Sequence, residues 1–359
     1  MTTRRTCEAL AFTGADLRWN IVGGVPDEVA VVIVGYNSGS WLRACLDSVC
    51  REVYAGSVFY VDNASSDGSA RWVIEAYPEV RIIANRRNRG FAGGNNQALS
   101  VIMQATHYRY VFLLNPDTIL PVGLMSGLRH FMVAHPEYGA VGPLQVEYDA
   151  DVKLGELNRL SRRDVRIGQY HVLKRWLPRL PIRVAGRYPP GVLSVYYVQG
   201  AAFFARVDLF RHVGLFDELF FAFFEEVDLC RRALWQGYRL GLLTDLRLPH
   251  ASRGPEERSM RRRYYRIRNK YLFALTDPDI PARRLTCVVS QLALWDLRRV
   301  PEALRSDLSV ILIPSLLAVA WLVLNAPRVI HGRRWRAKLV RSPQCPLVVT
   351  HTCPEEWTR

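Results

Sequence analysis

The sequence predicts an α/β fold in which a mostly parallel sheet is flanked by helices. Between residues 29 and 115, short apolar runs alternate with helical patterns across brief connections, which is the order of parallel strand–helix–strand units. The first run, residues 29–37, is continuous and rich in β-branched side chains, as expected of a strand buried on both faces. Polar clusters follow several of these runs, and open parallel sheets bind ligands outside the carboxyl ends of their strands. A ligand site is therefore expected at that edge of the sheet.

Periodicity and turn signals predict the elements in chain order. After the first strand, apolar residues at helical spacing indicate a helix near 41–49, with Ser38 or Ser40 as its N-cap. The next elements are a strand at 57–62, a helix at 69–77, a strand at 80–84, a helix at 93–106 and a strand at 110–115. Residues 150–194 are charged and bounded by prolines, which favours an irregular insertion, and regular structure is expected to resume at 195–210.

Composition excludes several classes of protein. A chain of 359 residues with 49% hydrophobic and 11% aromatic residues is not disordered. The seven cysteines are scattered and include no C-x-x-C pair, so we expect reduced thiols rather than a disulfide scaffold or a zinc site. No apolar run of signal-peptide length occurs in the first twenty residues. Together these features predict a cytoplasmic location for the catalytic body.

We divide the chain into an N-terminal extension (1–27), one large domain (28–275) and a helical, basic C-terminal region (276–359). The net charge is +15, and residues 250–342 supply most of it, with 19 basic against 7 acidic side chains. Such a concentration of charge is typical of surfaces that meet anionic membranes, phosphate-rich ligands or nucleic acid.

Two polar clusters near strand ends are candidates for binding a nucleotide. Asp62 and Asn63 follow the second strand, where a carboxylate accepts from a pyrimidine N3–H and an amide donates to a ring carbonyl. An Asx turn that caps the next helix explains this pair equally well. The second cluster, residues 88–96, has three glycines ahead of a predicted helix, whose exposed N–H groups suit a phosphate. A flexible turn is the alternative for that cluster.

Two further residues are candidates for a metal–diphosphate site. Asp117, in the run Asn115-Pro116-Asp117, ends a strand where one carboxylate can hold a divalent cation that bridges a diphosphate. The same tripeptide also makes an ordinary turn. His250 closes an apolar run, and a lone histidine there is more often structural unless it accompanies such a site.

The densest cluster of acids is Glu225, Glu226 and Asp228, directly after the aromatic stretch 220–224. An aromatic wall desolvates a carboxylate and raises its pKa toward the working pH, which suits a general base. In a helix that begins near residue 225, Glu225 and Asp228 share a face. Acids in a first turn are also ordinary partners of the helix dipole, and the residues alone leave both interpretations open.

Seven ordered motifs resemble the inverting family 2 glycosyltransferases, and among them the bacterial rhamnosyltransferases that build cell-surface polysaccharide. The motifs are VVIVGYN (31–37), VDNASSDGS (61–69), NRGFAGGNNQAL (88–99), FLLNPDT (112–118), GAAFFARVDLF (200–210), FEEVDLCRR (224–232) and His250. The likeness spans about residues 30–275. It implies a GT-A fold, a dTDP- or UDP-linked sugar donor, and Mg2+ or Mn2+ as cofactor.

The resemblance also implies a role for each site residue. Glu226 would be the catalytic base, with Glu225 and Asp228 beside it, while Asp117 and His250 would meet the metal and the diphosphate. The donor contacts would come from Tyr36, Asn37, Asp62, Asn63, Arg89, Gly90, Asn95, Asn96 and Asn115. Two departures from the family pattern are Asn115-x-Asp117 in place of an acidic pair, and Glu225-Glu226 in place of Glu-Asp.

The C-terminal region contains a 17-residue apolar run, 308–324, interrupted by Pro314 and flanked by basic residues on both sides. Seventeen residues is the short limit of the roughly 17–25 needed to span a bilayer, and a span would place one basic cluster outside. We therefore expect peripheral attachment to the cytoplasmic face of the bacterial plasma membrane. An ordinary buried core helix is the alternative.

The expected function is transfer of a sugar, first of all rhamnose, to a lipid-linked or polysaccharide acceptor in cell-envelope glycan synthesis. The expected partners are a nucleotide sugar, a lipid-linked saccharide and an anionic membrane surface, without nucleic acid. Transfer of another hexose, such as galactofuranose or glucose, is the alternative on the same fold. A basic nucleic-acid-binding protein and an inactive membrane scaffold are alternatives of other classes, and the sequence contains no nucleic-acid recognition motif.

Overall fold

The computed structural model describes residues 28–148, 191–251, 259–297 and 309–341, and it confirms the α/β fold. Within these ranges one sheet contains the strands β1 Val29–Gly35, β2 Val58–Asp62, β3 Arg81–Ala84, β4 Tyr110–Leu114, β5 Tyr138–Tyr148, β6 Val192–Ser194, β7 Ala202–Arg206 and β8 Arg239–Ala251. The helices are α1 Gly39–Val49, α2 Ser69–Ala76, α3 Gly90–Gln104, α4 Leu124–Ala134, α5 Val207–Val213, α6 Glu225–Trp235, α7 Met260–Thr276, α8 Ala282–Leu297, α9 Ser309–Leu324 and α10 Ala326–Arg341. A short 3-10 helix, Ala55–Ser57, precedes β2.

The sheet is mixed but mostly parallel, with the strand order β3-β2-β1-β4-β7-β5-β8-β6. Strands β3, β2, β1 and β4 run parallel, β7 is antiparallel to both β4 and β5, and β8 is parallel to β5. The carboxyl ends of β1, β2, β4, β5 and β8 therefore meet at one side, which we call the carboxyl edge. The predicted site residues lie at or near this edge.

Helices cover both faces of the sheet. Alternate residues of β1 point to opposite sides: Ala30 and Val32 join the core cluster that contains α3, whereas Val31 and Ile33 pack in the cluster that contains α1 and α4. All four side chains are fully buried. This double burial explains why the strand reads as a continuous apolar run.

The C-terminal helices are part of this core. Three apolar residues of these helices are buried in the core cluster on the face of the sheet that α3 covers: Leu272 of α7, Leu292 of α8 and Val329 of α10. The Arg333 guanidinium group of α10 donates to the backbone carbonyl of Leu275, in the last turn of α7, and to that of Asp277, just after this helix. The boundary predicted after residue 275 is therefore crossed by packing and hydrogen bonds.

Several element ends differ from the predictions. The side chain of Ser38 makes no capping hydrogen bond to α1, and the N–H of the first helical residue, Gly39, donates to the Asp67 carboxylate, 3.0 Å away. Helix α3 begins at Gly90 rather than near 93, and α9 continues through Pro314. The short strand β6 falls in the predicted insertion (150–194), of which residues 150–190 lie outside the described ranges.

Candidate active site

Two predicted metal ligands from distant parts of the chain meet at the carboxyl edge. Asp117 follows β4, His250 lies near the end of β8, and Asp117 Oδ1 is 3.1 Å from His250 Nε2. Backbone hydrogen bonds fix the pair, because the Ala251 N–H donates to the Asp117 carbonyl and the Ile119 N–H to the Pro249 carbonyl. His250 is buried, whereas the Asp117 side chain is 27% exposed, so the carboxylate is the part that a ligand can reach.

Gln145, on β5, orients the His250 ring. Its Oε1 lies 3.2 Å from His250 Nδ1 in a buried contact. Because a carboxamide oxygen only accepts hydrogen bonds, this orientation of the amide places a hydrogen on Nδ1 and leaves Nε2 to face Asp117. Nε2 and the Asp117 carboxylate then form a pair that can hold a cation between them.

A divalent cation fits between Asp117 and His250. Neighbouring ligands of an octahedral ion with bonds of about 2.1 Å lie about 3.0 Å apart, and the two ligand atoms here are 3.1 Å apart. Among the described residues, no group of three or more His, Cys, Asp or Glu side chains gathers to hold a metal ion. A two-ligand site suits Mg2+ or Mn2+, since such ions are commonly bound by one or two carboxylates together with substrate phosphates.

Helix α6 begins with two carboxylates in different environments. Glu225 is 4% exposed, and its Oε2 has no hydrogen-bond partner among the described residues. Burial, and then the neighbouring charge of Glu226, raises the pKa of Glu225 well above its usual range. Glu226 is half-buried and acts electrostatically on Tyr197, whose pKa is raised first by burial and then by that carboxylate. Glu225 thus favours its protonated form, and Glu226 is the less buried of the two residues, although its Oε2 is buried as well.

The aromatic loop, residues 220–224, leads into α6 and has an unusual backbone conformation. Phe221, Phe223 and Phe224 have φ angles of 64°, 71° and 73°, in the left-handed region that costs roughly 1–3 kcal/mol for such residues. Asn269 of α7 stabilises the loop, because its Nδ2 lies 2.7–2.8 Å from three carbonyl oxygens, those of Phe220, Ala222 and Phe223. The position of Glu225 and Glu226 therefore depends on α7.

Asp228 differs from the carboxylate pair because both of its oxygens accept hydrogen bonds from arginine side chains. Its Oδ2 accepts from Arg232 Nε at 2.9 Å, and its Oδ1 accepts from Arg336 Nε at 2.7 Å. Burial alone would raise the pKa of Asp228, but the charges of Arg336 and Arg232 outweigh it and hold the pKa below its usual range. Both Asp228 oxygens are thus engaged by arginines, and the catalytic role that the resemblance implies for Asp228 stays a prediction.

Residues 195–201 connect the metal pair to the carboxylate pair. At one end, the Asn115 N–H donates to the Ala201 carbonyl at 3.0 Å, beside the loop that carries Asp117. At the other end, the Val198 N–H donates to Cys230 Sγ on α6 at 3.4 Å. Both halves of the predicted chemistry therefore border the same short segment.

The nucleotide residues predicted after β1 and β2 are neighbours. The register pairs Gly35 with Asp62, and the Tyr36 ring beside them is 48% exposed. Asp62 is buried and its Oδ2 accepts from the Ser65 N–H at 3.1 Å, which closes the loop after β2 but does not cap α2, whose first residue is Ser69. Asn37 has a left-handed φ of 51° and its side chain is exposed. Tyr36 and Asn37 thus offer more open surface to a ligand than Asp62 does.

The glycine-rich run 90–96 forms the first turns of α3, and its role toward a phosphate stays a prediction. The Gly90 N–H donates to Asn88 Oδ1 at 2.8 Å, and the Ala92 N–H donates to the Phe221 carbonyl at 3.1 Å. Two N–H groups of the first turn are thus already used by the protein. Gly90 has a φ of 72°, and a Cβ there would lie 2.2 Å from the Phe221 oxygen. The glycine therefore permits contact with the aromatic loop rather than with a ligand.

The other predicted donor residues have structural contacts. Asn63 Nδ2 donates to the Gly90 carbonyl, and Asn96 donates to and accepts from the backbone of Phe216. Asn95 Nδ2 donates to the Phe91 carbonyl, while its buried Oδ1 has no partner among the described residues. The side chains in this set that remain half-exposed are those of Arg89, whose guanidinium lies 3.5 Å from Glu218, and Asn115.

Sequence reasoning missed three residues that shape the site: Gln145, Asn269 and Arg336. Gln145 is a lone amide in an apolar strand, which is a usable signal for a buried polar contact. Asn269 and Arg336 lie in helices rich in basic residues, so nothing in the local sequence pattern separates them from surface residues. Their partners are 46 to 119 residues away along the chain.

Comparison with known proteins agrees with this geometry. Residues 30–208, about half of the chain, match the domain described as Glycosyl transferase family 2. The chain is 29% identical over 214 residues to the N-acetylglucosaminyl-diphospho-decaprenol L-rhamnosyltransferase of Mycobacterium tuberculosis, which covers 56% of this chain and 69% of that protein. It is 22% identical over 223 residues to the low-salt glycan biosynthesis hexosyltransferase Agl10 of Haloferax volcanii, covering 60% and 64%.

Among solved structures, GalNAc-T7 with UDP, GalNAc and Mn2+ is similar with a TM-score of 0.50 at 15% identity. The match covers 70% of this chain and 48% of the other, so this chain spans about half the length of that protein. At this identity the likeness concerns the fold alone.

Proposed function

Because this chain belongs to glycosyl transferase family 2, we propose that it transfers one sugar from a nucleoside diphosphate sugar to a lipid-linked diphosphate acceptor in bacterial cell-envelope synthesis. Rhamnose is the first candidate, supported by the name of the mycobacterial relative. Another hexose, galactofuranose or glucose, is the alternative, supported by the relative named as a hexosyltransferase. The observation that carries the proposal is the Asp117–His250 pair at the carboxyl edge, joined to Glu226 through residues 195–201.

In the proposed mechanism Glu226 is the base. Its carboxylate removes the proton of an acceptor hydroxyl as that oxygen attacks the anomeric carbon, and the bond from this carbon to the diphosphate oxygen breaks. A single displacement inverts the configuration. Asp117 and His250 Nε2 would hold Mg2+ or Mn2+, which as a Lewis acid stabilises the charge that develops on the departing diphosphate. Gln145 keeps Nε2 oriented toward Asp117.

Transfer to a lipid acceptor tests this proposal. The full-length chain is incubated with Mn2+, N-acetylglucosaminyl diphosphate carried on a short prenyl chain, and labelled dTDP-rhamnose or UDP-hexoses, one at a time. We expect one donor to give a labelled lipid and an equal amount of free nucleoside diphosphate. A chain that binds none of these nucleotides would contradict the proposed sugar transfer. Release of nucleotide without labelled lipid would contradict the proposed lipid-linked acceptor.

Asp117→Asn is expected to abolish the Mn2+-dependent part of nucleoside diphosphate affinity while the fold survives. The change removes the carboxylate charge that the cation requires, in a partly exposed side chain. Gln145→Leu is expected to weaken the same affinity by about 10-fold to 100-fold, the usual effect of losing a residue that orients a ligand. Isothermal titration calorimetry with and without Mn2+ measures both, and an unchanged Mn2+ dependence in Asp117→Asn would show that the cation is held elsewhere.

We also propose that α9 lies on an anionic membrane surface. One side of α9 packs on the protein, with Ala318 buried, while Leu316, Val323 and Leu324 on its other side are 69%, 68% and 81% exposed. Exposed basic residues lie on the next helix, α10: Arg328, Arg334, Lys338 and Arg341. An apolar face bordered by cations is the pattern of helices that lie in the interface of an anionic bilayer.

Membrane-spanning character is limited in the part of the chain that the structure describes. No single helix there has both the length and the apolar composition to cross a bilayer. One pair, Leu312–Leu324 with Ala326–Arg341, has them only when counted together across a bend of 71°.

Leu316→Glu with Val323→Glu is expected to prevent sedimentation with phosphatidylglycerol vesicles, because two carboxylates replace apolar contact and repel the anionic surface. The matched control is Val122→Glu with Val133→Glu, two valines that are 85% and 58% exposed outside the C-terminal region. Binding of the unmodified chain should fall with rising salt and be weaker on phosphatidylcholine. An unmodified chain that stays in the supernatant with anionic vesicles at low salt would contradict the attachment.

A further inference from the structure

Arginines at the start of α7 lie over the rings of the aromatic loop. The guanidinium carbons of Arg262 and Arg266 lie 5.7 and 5.0 Å from the centroid of the Phe223 ring. Nearby, the Phe221 and Tyr265 rings are stacked with centroids 4.7 Å apart, and the Arg261 guanidinium lies 5.5 Å from the former. We call these six side chains the arginine platform: Arg261, Arg262, Arg266, Phe221, Phe223 and Tyr265.

The charge of the platform is placed where helix stability does not favour it. The first two turns of α7 contain Arg261, Arg262, Arg263 and Arg266, and they contain no acidic residue. The N-terminal end of a helix has a partial positive charge, so basic side chains there are unfavourable. The helix dipole therefore does not account for this cluster of positive charge, whose guanidinium groups suit an anionic ligand.

The aromatic half of the platform is also costly. Phe221 and Phe223 have φ angles of 64° and 71°, which glycine adopts more readily than a residue with a ring. In this loop the rings face guanidinium groups and so support them by cation–π contact. Strained residues of this kind are concentrated at functional sites. The loop conformation thus presents the platform.

The position of the platform matches the parts of an amphiphilic acceptor. On one side, the loop continues directly into Glu225 and the base Glu226. On the other side, the Arg268 guanidinium of α7 lies 4.2 Å from the Trp321 ring of α9, the helix with the exposed apolar face. Helix α7 therefore contacts the loop that leads to the base on α6 through its first arginines, and contacts the apolar helix α9 through Arg268.

We propose that the arginine platform binds the diphosphate of the lipid-linked acceptor. This inference rests on the proposed function and assigns the part of the acceptor that the platform recognises. Guanidinium groups bind phosphate oxygens through paired, charge-assisted hydrogen bonds. A diphosphate held there directs the attached sugar hydroxyl toward Glu226 and the prenyl chain toward α9.

Binding of farnesyl diphosphate tests the proposal without requiring transfer. The full-length chain is titrated in EDTA, so that the metal-dependent donor site is silent, with farnesol as the uncharged probe. Arg261→Gln with Arg266→Gln changes two exposed residues and is expected to lower farnesyl diphosphate affinity about 100-fold, or about tenfold for each charged contact. The matched control is Arg283→Gln with Arg284→Gln on α8, also exposed, with affinity expected within about twofold of the unmodified chain. Arg261→Lys with Arg266→Lys should bind farnesyl diphosphate more tightly than the double glutamine change, because lysine keeps the charge.

Three results would overturn the platform as an acceptor site. Farnesol bound as tightly as farnesyl diphosphate would show that no diphosphate is recognised. A matching loss of nucleoside diphosphate affinity with Mn2+ would assign Arg261 and Arg266 to the donor, and a matching loss of phosphatidylglycerol vesicle binding would assign them to membrane headgroups. Failure of transfer by the unmodified chain would instead contradict the proposed function, because farnesyl diphosphate binding is read separately.

Discussion

Glu226→Gln is expected to lower the turnover number by about 100-fold or more, the usual contribution of a positioned general base. Glutamine keeps the size of the side chain but cannot remove a proton from the acceptor hydroxyl. Nucleoside diphosphate affinity should stay unchanged, since in the proposed mechanism Glu226 contacts the acceptor and not the nucleotide. Initial rates with labelled donor measure the first quantity, and calorimetry with Mn2+ measures the second.

Glu225→Gln is the matched control for this prediction. Burial and the charge of Glu226 already favour the protonated form of Glu225, and glutamine resembles that neutral form in size and polarity. A smaller loss of turnover is therefore expected. Equal, small losses in the two variants would contradict the assignment of the base and would leave both carboxyl groups as partners of the α6 N-terminus.

Arg336→Met is expected to lower the free energy of unfolding by about 3–5 kcal/mol, because it removes one partner from a buried ion-pair network. Arg336 is 1% exposed and donates to the carboxylates of Asp228 and Asp217, both at 2.7 Å. Without it, Asp228 keeps only Arg232 and remains buried with one oxygen unsatisfied. Urea denaturation followed by circular dichroism measures the change.

Arg334→Met is the control on the same helix, because this arginine is exposed and its loss should change stability by less than about 0.5 kcal/mol. Equal stability of the two variants would contradict the buried network.

The buried network also predicts the effect of truncating the chain. A chain that ends near Asp277 lacks Arg336 and Arg333, so we expect it to be destabilised as well as unable to bind membranes.

The fold was largely predictable because its signals are local. Strand β1 is a β-branched apolar run, and the helices that cover it carry apolar residues such as Leu42 and Leu46 at helical spacing. Those patterns follow directly from burial on both faces of a sheet. The cap of α1 was not predictable in this way, since the carboxylate that serves it, Asp67, is 28 residues from Gly39.

The site was predictable in part, mainly where motifs end strands. The meeting of Asp117 with His250 follows from the parallel strands that bring both to one edge, together with the family resemblance. The glycine-rich run was interpreted as a ligand loop because glycine permits close approach, but the group that approaches Gly90 is Phe221 of the protein itself. Likewise Asn96 binds the backbone of Phe216, 120 residues away. Such contacts depend on tertiary packing, which periodicity and spacing do not encode.

The location of the cation tests the central claim most directly. Crystals of the full-length chain are soaked with Mn2+ and UDP or dTDP, and anomalous scattering at the manganese edge locates the ion. The account predicts one strong peak within bonding distance, about 2.0–2.3 Å, of an Asp117 carboxylate oxygen, of His250 Nε2 and of the nucleotide diphosphate. A nucleotide bound with its manganese peak away from Asp117 and His250 would contradict it.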